Sequence, residues 1–221
     1  MVIPPSLIRL TSWSHALLSP ILAPGDLAVD LTAGRGADSL FLWQRVAPNG
    51  RVLAFDIQST ALAQTTESLL RAAVPVHPPV SDPAALTLAP GVTLVAACHG
   101  RLAEFLRTPA KAVIANLGYL PGGDRSLLTQ PETTLAALDQ AATGLEMGGR
   151  LVVTVYPGHP GGGAEEALVT AWFAALDGRH WEVLKLVVPN RERAPLLMVA
   201  ERRGPRRGGV ASGERAEANP D

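Results

Sequence analysis

The feature that most restricts the fold is a regular alternation of short apolar runs with longer segments of helical character. In "AVDLTAGRGADSLFLWQRVAPNGRVLAFDIQ", residues 28–58, an apolar run meets a glycine-bearing turn, then a helix-like segment, then a second apolar run ending in an acid. Two strands joined through a helix form a parallel pair, because the chain must cross back before the second strand begins. Strands are expected over Leu27–Leu31, Arg51–Asp56, Val92–Ala97, Ala112–Asn116, Arg150–Tyr156, Val183–Val188 and Leu196–Ala200, from β-branched content and bounding Gly, Pro or Asn. Helices are expected over Asp38–Val46, Thr60–Ala73, Leu102–Leu106, Pro131–Leu145 and Ala164–Leu176. "TQPE", Thr129–Glu132, has capping-box spacing ahead of the fourth helix, and Gly148–Gly149 follow its end. The predicted fold class is α/β: a doubly wound, seven-stranded, mainly parallel sheet, Rossmann-like in character.

The last two apolar runs, "WEVLKLVV" and "APLLMVA", are joined only by "PNRER", too short for a crossover helix, so they are expected to pair as an antiparallel hairpin. That ending separates two nucleotide-binding architectures. Nicotinamide-binding Rossmann domains usually finish on a parallel strand, whereas class I methyltransferases finish on an antiparallel hairpin. Pro75–Gly91, "PVHPPVSDPAALTLAPG", reads as a Pro-rich surface excursion without a strand. From Arg202 the chain is rich in Arg, Gly and Ala without an apolar face, so residues 1–201 are expected to form one catalytic domain and 202–221 a disordered tail.

Composition narrows the function classes. A formal charge of −1 leaves no global basic footprint, so any RNA contact must come from local patches. The single cysteine, Cys98, forbids an internal disulfide and any Cys-rich zinc site, and no metal site is expected. No run approaches the roughly 18–20 apolar residues that span a bilayer, so no membrane partner is expected and a cytoplasmic location is the default.

Asp30-Leu31-Thr32-Ala33-Gly34-Arg35-Gly36 leaves the first strand and enters a helix. Gly34 and Gly36 permit positive φ and carry no Cβ, so a ligand can lie against the backbone at the helix N-terminus. The strict G-x-G-x-x-G is broken by Ser39. The second strand ends in Asp56, about 20 residues past Gly34, where a carboxylate can accept both hydroxyls of a ribose. NAD and S-adenosylmethionine both fit these two signals. The terminal hairpin and "NLGYLPGGD", Asn116–Asp124, favour S-adenosylmethionine. Asn116-x-x-Tyr119 has the spacing of the Asn/Asp-Pro-Pro-Tyr loop of amino methyltransferases, although Leu117 and Gly118 replace both prolines. "YPGHPGG", Tyr156–Gly162, ends the fifth expected strand on the same rim and offers His159 as a substrate-side group. His99 is placed to flank an adenine and His15 to cover the cofactor, while Asp38 either caps the following helix or binds the cofactor's amino group.

"SHALL", "DLTAGRGADSLFL", "AFDIQ", "ANLGYLPGGD", "TTLAAL" and "YPGHPGG…EE" together resemble the MnmM (YtqB-like) family, whose members also carry the description rRNA methylase. The match runs from about His15 to Glu201. The resemblance implies a class I S-adenosylmethionine-dependent methyltransferase acting on the 5-aminomethyl nitrogen of a 2-thiouridine at the tRNA wobble position. The partner implied is the tRNA anticodon loop, and a homodimer is the assembly considered. On this reading the cofactor shell is Asp30, Thr32, Gly34, Gly36, Asp38, Ser39, Asp56, Gln58, His99 and Asn116, and the catalytic group is Asn116, Tyr119 and His159. Arg35, Ala37 and Ser39, the Pro75–Gly91 excursion and the Arg-rich tail depart from the family's pattern. A small-molecule or rRNA methyltransferase, an NAD oxidoreductase and a non-catalytic RNA-binding module stand as alternatives.

Overall fold

The structure is a computed structural model that describes residues 4, 6–87, 89–118, 129–158 and 161–204. In chain order the elements are α1 (Leu10–Leu18), β1 (Leu27–Asp30), α2 (Ala37–Val46), β2 (Arg51–Phe55), α3 (Ser59–Arg71), β3 (Val76–Val80), β4 (Gly91–Val95), α4 (Leu102–Phe105), β5 (Ala110–Leu117), α5 (Pro131–Gly144), β6 (Leu145–Val155), α6 (Gly162–Ala174), β7 (Trp181–Leu186) and β8 (Leu196–Arg202). The strands form one eight-stranded sheet in the order β3-β4-β2-β1-β5-β6-β8-β7. β8 runs antiparallel to both β6 and β7, as the short "PNRER" connection requires, and the other pairings are parallel. After β1 the chain builds outward through β2 and β4, then returns to place β5 on the other side of β1. The crevice at the carboxyl ends of β1 and β5 is therefore the topological switch point, where open α/β sheets bind ligands.

The core is aliphatic and lies on both faces of the sheet. Side chains alternate along each strand: Val29, Leu53, Phe55, Val113 and Ala115 join α4, α5 and α6 on one face, through Phe105, Leu138 and Phe173. Ala28, Val52, Ala54, Ala112 and Ile114 join α1, α2 and α3 on the other, through Leu18, Leu42, Val46 and Leu69. β1 is buried along its whole length, which is why it reads as a continuous apolar run.

Five expectations are corrected. The sheet has eight strands where seven are expected, because Val76–Val80 inside the supposed excursion pairs parallel with β4. Pro78 and Pro79 have no N–H to donate, so the strand sits at the sheet edge and its register shifts between His77 and Val80. Gly91 is required beside it: its φ is +137°, and a Cβ there would lie 2.7 Å from His77 Nε2 and 2.8 Å from the Pro75 carbonyl. The capping box is not formed. Gln130 is the N-cap and its side chain does not cap the helix, and Thr129 instead pairs with Gly118, whose N–H donates to Thr129 Oγ1 at 3.1 Å while the Thr129 N–H donates back to the Gly118 carbonyl at 3.2 Å. Gly148 and Gly149 lie in β6 rather than past a helix end, at a register shift opposite Ala110–Ala112. Finally, Leu10–Leu18 is a helix with no counterpart in the sequence reading, and β8 continues through Arg202, whose guanidinium donates to the carbonyls of Thr143 and Leu145.

Candidate active site

The glycine loop after β1 is held by its neighbours at almost every turn. Gly34 has φ +54° and Gly36 φ +80°, the left-handed region that glycine enters without penalty. The Gly34 N–H donates to Asp56 Oδ2 at 3.0 Å, and the other Asp56 oxygen accepts the Gln58 N–H at 2.9 Å. Asp56 thus ties the loop to the end of β2 and the start of α3. Thr65, buried on α3, donates its hydroxyl to the Gly34 carbonyl at 3.1 Å, and its methyl lies 3.1 Å from where a Gly36 Cβ would stand.

Beneath the loop Asp30 is fully buried. It accepts the Thr32 N–H at 3.1 Å and the Ser39 hydroxyl at 2.7 Å. Burial first, and the Asp38 charge second, push its carboxyl pKa up to about 7. Asp38 does not cap α2: no side chain bonds that helix's N-terminus. One Asp38 oxygen meets His15 Nε2 of α1 at 2.6 Å, and the other accepts Asn116 Nδ2 of β5 at 2.5 Å. His15 is in turn stacked on Phe41, with ring centroids 3.8 Å apart and planes within 4°.

Asn116 is fixed twice. Its backbone N–H donates to Thr32 Oγ1 at 2.8 Å and its amide nitrogen to Asp38, while its Oδ1 is buried with no hydrogen-bond partner among the described residues. A buried carbonyl left unpaired costs about 1–3 kcal/mol, so this oxygen is suited to accept from a bound donor. His99, after β4, is similar: its ring bonds to the Leu31 backbone, its Nε2 is buried without a hydrogen-bond partner among the described residues, and burial holds its pKa below the ordinary histidine value. Tyr156, at the end of β6, has its hydroxyl pKa raised by burial and then by the Asp38 charge. Among the sequence-derived candidates, Asp30, Thr32, Gly34, Gly36, Asp38, Ser39, Asp56, Gln58, His99 and Asn116 thus gather at or beneath one rim. Tyr119 and His159 lie outside the described residues. Thr65 and Tyr156 were missed: a threonine in a helix carries no motif, and a tyrosine ending a strand signals only packing.

The charges of Asp38 and Asp56 both act on Asp30 across this rim. The Asp56 carboxylate and the buried His99 Nε2, with a backbone cradle open at the glycines, suit a ligand bearing hydroxyls and a heteroaromatic base, as S-adenosylmethionine does. No group of His, Cys, Asp or Glu suited to a metal ion occurs among the described residues. No helix among them is long and apolar enough to cross a membrane.

With the extra edge strand β3 set aside, the strand order and terminal antiparallel hairpin are those of a class I methyltransferase. Over residues 52–202 the chain matches the family described as "Putative rRNA methylase", and it belongs to that family. It is similar to the chloroplastic tRNA (mnm(5)s(2)U34)-methyltransferase of Arabidopsis thaliana, with 34% identity over 197 residues that cover 86% of this chain and 68% of that protein. Two crystal structures resemble it over 91% of its length. One is a "putative rRNA-methylase" from Clostridium thermocellum, 34% identical, TM-score 0.78, covered over 100% of its chain. The other is a Streptococcus mutans "putative methyltransferase" in complex with SAH, 32% identical, TM-score 0.75, covered over 99%. The chain is an S-adenosylmethionine-dependent methyltransferase.

Proposed function

We propose that this enzyme methylates the 5-aminomethyl nitrogen of a 2-thiouridine at the wobble position of tRNA, giving 5-methylaminomethyl-2-thiouridine. The name of the Arabidopsis relative supports the substrate. The observation that carries the chemistry is the buried, unpartnered Oδ1 of Asn116 at the switch point, an acceptor suited to an amine N–H. S-adenosylmethionine, when bound, supplies the methyl group from its sulfonium. Gly34 and Gly36 leave room for its amino-acid portion, and Asp56 accepts its ribose hydroxyls on the lone pairs its two backbone bonds leave free. Gln58 borders the ribose, and His99 Nε2 faces the adenine. Asp30, Thr32 and Ser39 support the loop from below rather than touch the ligand.

An amine must be neutral to offer its lone pair. If its pKa equalled that of lysine, about 10.4, deprotonation at pH 7 would cost roughly 4–5 kcal/mol. The electron-poor base and partial burial lower that cost, so the demand on the protein is orientation. Asn116 Oδ1 accepts an amine N–H and turns the lone pair toward the methyl carbon. We assign Tyr119 to pack on the base and His159 to the substrate side of the same rim.

The lone Cys98 is compatible with a reducing cytoplasm, the location we assign. The catalytic domain extends through Arg202, the last residue of β8, and a homodimer is the assembly to test by sedimentation. The family description favours rRNA as the second substrate to assay.

The test is single-turnover methylation of tRNA carrying the unmethylated 5-aminomethyl group at saturating cofactor, beside calorimetry of cofactor binding. Asn116→Ala is expected to leave cofactor affinity nearly unchanged and to lower the rate about 10²–10³-fold, the scale of losing one preorganised hydrogen bond at a reacting centre. A wild-type rate in this variant removes Asn116 from the chemistry, and methylation of rRNA but not tRNA by the unaltered enzyme reassigns the substrate.

A further inference from the structure

An amide is nearly symmetric in shape, and only its hydrogen bonds decide whether oxygen or nitrogen faces a given neighbour. If Asn116 presented its NH2 to the substrate amine, it would donate to the amine's lone pair and hold it away from the methyl carbon. Resting on the amine-methylating reading above, we propose that Asp38, braced by His15, is a positioning residue that fixes the Asn116 amide with its oxygen toward the substrate.

The geometry supports this from both sides. An ionised carboxylate only accepts, so the atom of Asn116 that lies 2.5 Å from Asp38 must be Nδ2, and Oδ1 must occupy the opposite side. Asp38 itself cannot swing away. Its second oxygen is taken by His15 Nε2 at 2.6 Å, and the His15 ring is held flat on Phe41. The backbone of Asn116 is pinned independently by Thr32, so the side-chain amide is the one degree of freedom that Asp38 controls. Helix α1, which carries none of the glycine loop or the β5 rim, enters the site through this contact.

Exchange of the two residues separates positioning from bulk or charge. In Asp38→Asn, with the His15 Nε2–H still donating, the new amide accepts from His15 with its oxygen and offers its NH2 to Asn116, which then turns its own oxygen inward; turnover is expected to fall by about tenfold or more. In Asn116→Asp two carboxylates face each other across one hydrogen-bond distance, and turnover is again expected to fall by about tenfold or more. In the double variant Asp38→Asn/Asn116→Asp the new amide at 38 accepts from His15 and donates to the new carboxylate at 116, whose free oxygen still faces the amine. That variant is expected to recover to within about tenfold of the unaltered enzyme, a non-additivity that independent roles do not produce. Cofactor affinity, measured by calorimetry on the full chain, should stay within about threefold of wild type throughout.

Absence of recovery in the double variant, or a wild-type rate in Asp38→Asn, overturns the proposal. A second measurement does not depend on the substrate. In the ¹⁵N-labelled full chain the Asn116 side-chain NH2 should give one strongly displaced proton resonance, which returns to ordinary values in Asp38→Ala. A resonance that does not move overturns the clamp. If the unaltered enzyme binds cofactor but transfers no methyl to the aminomethyl-bearing tRNA, the substrate reading fails, and the resonance alone decides the clamp.

Discussion

Asp56 and Asp30 stand at the ends of adjacent strands and do different work. Asp56 is half-exposed and holds two backbone N–H groups, so its loss both frees the glycine loop and removes an acceptor for the ribose. Asp56→Ala is expected to weaken S-adenosylmethionine binding by roughly 1.5–3 kcal/mol, or about 10–150-fold. Calorimetry reads this directly, and an unchanged dissociation constant in a folded variant takes Asp56 out of the site. Asp30 is buried, and its folded-state pKa of about 7 stands above its ordinary value of 3.8. The folded protein therefore keeps a proton there that the unfolded chain gives up. This contribution to stability is full below pH 4 and is lost as pH rises through 7, with a ceiling of about 4 kcal/mol. Asp30→Asn removes the titration, so its melting temperature is expected to fall less than that of wild type between pH 5 and pH 8. Parallel curves for the two proteins assign the pH dependence to other groups.

Among the elements, the β1–α2 loop is built by contacts from outside itself. Gly36 has positive φ and stands against the Thr65 methyl of α3, so Gly36→Ala meets both backbone strain and a crowded Cβ. A cost of about 1–2 kcal/mol is expected from the conformation alone. Chemical denaturation measures it, and a stability equal to wild type means that the loop has another conformation in solution. The elements that the sequence reading mistook share one cause. Thr129 has the residues of a cap, but Gly118, distant in sequence, offers it both a donor and an acceptor. Val76–Val80 contains two prolines that argue against a strand, yet an edge position beside β4 tolerates them. α1 has a short polar-interrupted sequence, and it is Leu10 and Leu18, buried against the sheet, that make it a helix of this fold.

At the scale of the whole molecule, the catalytic rim lies at the carboxyl ends of β1 and β5, while the antiparallel β8 finishes beside the first half of β6, at the opposite ends of the parallel strands. Arg202 and Arg203 thus stand at the end of the sheet away from the rim. Arg202 is part of the fold, with bonds to two backbone carbonyls, and Arg203 pairs with Glu182 and Glu201. Truncation after Gly204 is therefore expected to leave the melting temperature within about 2 °C of wild type, whereas truncation before Arg202 lowers it by several degrees. For the shorter cut we expect a small loss of tRNA affinity at low salt that vanishes as salt rises, read by binding titrations at two ionic strengths. A large drop in melting temperature on removing 205–221 shows that this segment packs on the domain.

The sequence by itself determined the parallel α/β architecture, the antiparallel ending and the positions of the glycine loop, Asp56 and Asn116. Each follows from information local in the chain: the period of apolar residues, the length of a connection, or a residue type at a turn. Only the tertiary structure decided what those residues face. Thr65 closes on Gly34 from 31 positions away, and Asn116 meets Asp38 from 78 positions away. His15 was legible as a residue near the cofactor, but neither the helix that carries it nor its contact with Asp38 was. Hydrogen bonds between side chains depend on distance and direction in space, and neither is written in the spacing of residues along the chain.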